Sequence, residues 1–67
     1  MNKAEQEAAI VASLARAGEQ LNEFRRTIKA VMGTGDDEAR ECAELHLQAR
    51  DALARAAGHA IKRARGA

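Results

Sequence analysis

Three side chains with chemical potential stand one helical turn apart in this chain: Cys42, His46 and Arg50. Cys42-x-x-x-His46 is the spacing with which a helix offers two ligands to zinc, and a two-fold axis beside it would complete a Cys2His2 set. A cysteine in such a run is more ordinarily a small apolar packing residue, so the expectation is that no metal is held. His46 and Arg50 point instead to a polar notch for an anionic ligand, Arg50 giving bidentate phosphate contacts and His46 a further donor. Arg25, Arg26 and Lys29 add cations from an earlier segment. These five residues, His46, Arg50, Arg25, Arg26 and Lys29, are the candidate ligand-binding set.

Catalysis fits poorly. The chain has two histidines and no tyrosine, and its hydroxyl side chains are Ser13, Thr27 and Thr34. No glycine-rich phosphate loop stands between a strand and a helix. A Cys42–His46 nucleophile on one helix face lacks a cleft and an oxyanion hole. The expectation is a binding protein with no cofactor, not an enzyme.

The elements that must position these residues are helices. The sequence has no proline and one aromatic residue, Phe24, and is rich in Ala, Glu, Arg, Leu and Gln, a composition that favours helix throughout. Asn2, followed three residues later by Glu5, reads as a helix start at about Lys3. Ile10, Leu14, Ala17, Leu21, Phe24, Ile28 and Val31 then recur at spacings of 4, 3, 4, 3, 4 and 3, a heptad seam. Gly33-Thr34-Gly35-Asp36-Asp37 ends one helix and caps the next. The single domain, residues 1–67, is therefore read as helix 3–32, turn 33–37 and helix 38–65. On the second helix Cys42, Leu45, Ala49, Ala52, Ala56 and Ala60 continue a similar spacing.

So short a turn makes the helices antiparallel neighbours. Counting outward from it sets Leu21 against Ala49, Ala17 against Leu53, Leu14 against Ala56 and Ile10 against Ala60, large against small in each layer.

A chain of 67 residues buries a small share of its surface when it folds alone. One cysteine excludes an internal disulfide, the usual staple of small domains. The apolar arc of the second helix, from Leu45 through Leu53 and Ile61 to Leu47, covers about half its circumference at roughly 100° per residue. One neighbouring helix cannot cover it. The fold expected is all-α, a two-helix antiparallel hairpin assembling into a homo-oligomeric bundle, dimer or higher, with Leu14, Leu21, Phe24, Ile28, Leu45 and Leu53 in its core.

Eleven basic and ten acidic residues leave a net charge of +1, too balanced to indicate nucleic acid by itself. The basic end, Arg55, Lys62, Arg63 and Arg65, suits a helix C-terminus. No leader-like apolar run or membrane span is visible, so a reducing cytoplasmic location without membrane contact is expected.

Two resemblances sharpen the function. "EAAIVASLARAGEQL" (Glu7 to Leu21, with Gly18), Asp36, "HLQ" (His46 to Gln48) and "ALARA" (Ala52 to Ala56) resemble the phage anti-CBASS proteins that sequester cyclic oligonucleotide signals as oligomers of helical hairpins. Ala39 stands where that family has a tryptophan, and Ala15 at about the place of a nucleotide-holding lysine. The resemblance implies a non-enzymatic phage or mobile-element protein that holds a cyclic oligonucleotide between protomers to counter host defence. Asp36, Ala39, Cys42, Leu45, His46 and Ala49 also look like the second helix of the ROP plasmid regulator, a hairpin dimer, with Gln20 retained from its RNA-contacting helix. That likeness implies a regulatory module binding RNA or a host protein through an exposed helix face.

Overall fold

The computed structural model describes residues 1–66. Two α-helices of equal length, α1 (Lys3–Met32) and α2 (Asp37–Gly66), lie side by side and antiparallel. At 1.5 Å rise per residue each is about 45 Å long, so the hairpin is a slab of 47 × 16 × 9 Å.

Local chemistry explains both starts. Asn2 Oδ1 accepts from the Glu5 backbone N–H at 2.8 Å, and Asp36 Oδ1 accepts from that of Ala39 at 2.8 Å. Each side chain satisfies one of the donors that a helix N-terminus leaves free, typically worth about 1 kcal/mol. Glu5 in the first turn of α1, and Asp37 and Glu38 in that of α2, complement the dipole, as do Arg63 and Arg65 in the last turn of α2.

α1 stops at Gly33, whose N–H donates to the Lys29 carbonyl at 2.8 Å. Its φ of 75° and ψ of −158° lie where glycine alone is comfortable. The chain then reverses within four residues, Gly33 to Asp36, and Arg40 ties the turn down by donating to the Gly35 carbonyl at 3.1 Å.

The contact between the helices differs from the heptad seam. On α1 the side turned to α2 carries Ile10, Leu14, Ala17, Leu21, Arg25, Ile28 and Met32, all half-buried, while Phe24 and Val31 are 61% and 78% exposed. On α2 it carries Ala39, Cys42, His46, Ala49, Ala57, Ile61 and Ala64. Leu45, Ala52, Ala56 and Ala60 are exposed, and Leu53 lies at the edge. The reason is pitch. Seven residues of a straight helix fall about 20° short of two turns, so over three repeats a 3.5-residue seam drifts by roughly 60° from the line of contact. Near the turn the next residue takes its place: Arg25 replaces Phe24, Met32 replaces Val31, and His46 replaces Leu45.

The far ends are joined by Arg65, which ion-pairs with Glu7; its Nε donates to Glu7 Oε2 at 3.2 Å. Lys3 Nζ donates to the Arg65 carbonyl at 3.4 Å. The hydrogen bond from Arg65 is the largest influence on Glu7. Partial desolvation opposes it and the guanidinium charge reinforces it, and the carboxyl is held below its ordinary value of 4.5. Glu7 raises Arg65 in return.

Two expectations follow from the fold. Gly33→Ala destabilises the hairpin by about 1–3 kcal/mol, read from denaturant unfolding; no neighbouring atom crowds an added Cβ, so the loss is conformational. For Glu7, a folded-state value below the unfolded one means that the stabilisation is complete above pH 4.5 and disappears as pH falls through the lowered value. Protection of the helix-end amides, taken relative to the intrinsic exchange rate at each pH, should fall over that acid range in the native chain and show no such step in Arg65→Gln.

Candidate functional site

Placing Arg25 and His46 on the inner side of the hairpin has a chemical consequence. They stand one on each helix and line the same cavity of about 260 Å³. Leu21, Phe24 and Ile28 of α1 and Cys42, Leu45 and Ala49 of α2 form its walls. Those walls are apolar, yet Arg25 Nη1 and His46 Nδ1 are both buried without a hydrogen-bond partner.

Buried polar atoms are almost always paired, because leaving a donor or acceptor dry costs about 1–3 kcal/mol. Arg25 remains charged in any protein environment and has only donors to offer. What it lacks is an acceptor, and an anionic oxygen is the strongest available. His46 Nδ1 donates when it carries a proton and accepts in the other tautomer, so a single phosphate or carboxylate group can satisfy both residues.

The other candidate residues are distributed around this centre. Arg50, one turn beyond His46, lines a second cavity of about 200 Å³ with Leu14, Gly18, Leu21, Leu53 and Ala54. Leu21 forms part of both cavities. Arg26 and Lys29 are exposed on α1. The arrangement therefore groups Arg25 with His46, sets Arg50 next door, and leaves Arg26 and Lys29 outside. The cavity walls, Phe24 and Leu45 above all, are site residues that the cation pattern alone does not disclose.

Other chemistry is occupied or dispersed. The Cys42 thiol donates to the Met32 sulfur at 3.6 Å, a soft contact that fills the seam beside the turn. Ser13 Oγ accepts from Arg16 Nη2 at 3.2 Å, and Thr27 donates to the Glu23 carbonyl at 3.2 Å. Among the described residues no group of three His, Cys, Asp or Glu side chains is assembled for a metal ion, and no helix is long and apolar enough to cross a membrane.

Replacing Arg25 by Met keeps the apolar stem and removes the unpaired donor. Arg25→Met should raise unfolding stability of the ligand-free protein by on the order of 1 kcal/mol, checked by denaturant titration; a loss of similar size would show that the guanidinium is already satisfied.

Comparison with known proteins finds no family model, no curated protein and no solved structure that matches the chain.

Proposed function

We propose that this chain is a small non-enzymatic binding protein that works as an assembly of hairpins and sequesters an anionic small-molecule signal between protomers. The observation that carries the reading is the pair of unpartnered buried nitrogens, Arg25 Nη1 and His46 Nδ1, on the lining of one apolar cavity. Such a lining suits a ligand that is anionic at one point and flat and apolar at another. A cyclic oligonucleotide has both parts. A phosphate oxygen accepts from Arg25 and His46, while a base lies against the Phe24 ring and Leu45. It is also the ligand class implied by the resemblance of Glu7–Leu21, His46–Gln48 and Ala52–Ala56 to the phage anti-CBASS proteins, and with it comes the role of removing a host defence signal.

Arg50, in the adjoining cavity, extends the cationic surface to a second phosphate, and the exposed Arg26 and Lys29 raise the local concentration of anions.

A ligand selective for the folded protein at a hundredfold its Kd adds about 2.7 kcal/mol of stability. In a domain this small that moves Tm by roughly 10 °C or more. A panel of cyclic di- and trinucleotides should therefore contain at least one compound that raises Tm by several degrees in the native chain and does not in Arg25→Met. A flat response across the panel rejects this ligand class.

A further inference from the structure

We propose that a second copy of the chain packs face to face on the side of the hairpin carrying Phe24, Val31, Leu45, Ala52 and Ala56, with the turns at opposite ends and Glu38 of each copy beside Arg63 of the other. The inference rests on reading the hairpin as part of an assembly and adds the face, the orientation and the register.

The face follows from helix geometry. Each of Phe24, Val31, Leu45, Ala52 and Ala56 precedes by one residue the side chain that takes its place in, or at the edge of, the contact between the helices. Each is therefore turned about 100° away from that contact. Because the helices are antiparallel and face one another, stepping back one residue moves both seams to the same side of the slab. There the seam residues Phe24, Val31 and Leu45 lie 61%, 78% and 53% exposed.

On this side α2 shows no charge between Glu41 and Arg63, and α1 shows Ser13, Gln20, Phe24, Thr27 and Val31 with Arg16 at its margin. An uncharged apolar centre with charges at its margin is the make-up of a protein interface. The opposite side is interrupted by Lys29, Arg40 and Arg50.

The occupant is argued from charge and register. Glu38 and Arg63 stand near opposite ends of α2, are exposed, and enter no ion pair within the described chain. A two-fold axis that makes the two α2 helices antiparallel sets each Glu38 beside an Arg63, twice over. That choice alone brings Leu45 opposite Ala56 and Ala49 opposite Ala52 of the second copy. On α1 the same level, carried across by the pairing of Arg25 with His46, sets Phe24 opposite Ala17 and Val31 opposite Ile10. Leu45 and Phe24 each meet a smaller residue, while Val31 meets the larger Ile10, and neither helix's packing was used to choose the register. Since Phe24 and Leu45 also line the cavity of Arg25 and His46, the second copy is its lid.

The test uses the full chain. In a Cys42→Ser background, Leu45→Cys with Ala56→Cys should give a disulfide-linked dimer on mild oxidation. Within one chain those positions are about 16 Å apart along the helix, beyond the reach of a disulfide. A control pair on the opposite side, Leu47→Cys with Ala54→Cys, should remain uncrosslinked. In a second measurement, Glu38→Arg should weaken dimerisation by roughly tenfold, since the axis generates the pair twice, and Glu38→Arg with Arg63→Glu should recover it. A monomer by light scattering, a control pair that crosslinks as readily, or no recovery in the double variant would each overturn the proposal. The nucleotide Tm panel is read independently, so a dimer without a ligand leaves this proposal standing, and a ligand shift without the crosslink does not rescue it.

Discussion

A single helix-to-helix contact leaves most of each cylinder in water, and here the buried residues among those described are only Ala39 and Ala64. Ala39 sits at the first turn of α2 and Ala64 near its last, so burial is deepest at the two ends while the middle stays half-open. A small chain that buries so little has little hydrophobic free energy with which to offset the entropy of ordering two 30-residue helices. This shortfall organises everything else. The ends are tied by Glu7 and Arg65, and apolar side chains as large as Phe24 and Leu45 remain exposed among the described residues.

The cavity of Arg25 and His46 comes from the same shortfall. Where a full core would place an aliphatic side chain, the inner line of α1 presents a guanidinium and that of α2 an imidazole, and a cavity lies beside them. Two unpartnered polar groups in an apolar setting weaken the hairpin.

Much of the secondary structure is legible residue by residue. Asn2 with Glu5, Gly33, and Asp36 each announce their roles through local chemistry, and the structure shows the corresponding hydrogen bonds. The candidate site is less legible. Spacing along one helix couples His46 to Arg50, because they are neighbours on the same cylinder. The structure couples His46 to Arg25, which is far away in sequence and lines the same cavity from the other helix. Counting outward from the turn sets His46 against Phe24, and nothing in the spacing of one helix indicates that the inner line runs through Arg25 instead.

What the sequence by itself determined is the content of each element: two helices without strands, their caps, a tight glycine turn and an apolar surplus too wide for one partner. These depend on interactions a few residues long. Only the tertiary structure decided which stripe of each helix faces the other. That choice rests on the difference between a 3.5-residue seam and a 3.6-residue helix, a mismatch of about 20° per heptad that is negligible in any one turn and large over the length of the hairpin. The accumulated rotation turned Phe24, Val31 and Leu45 outward and brought Arg25, Met32 and His46 inward, and with them the site.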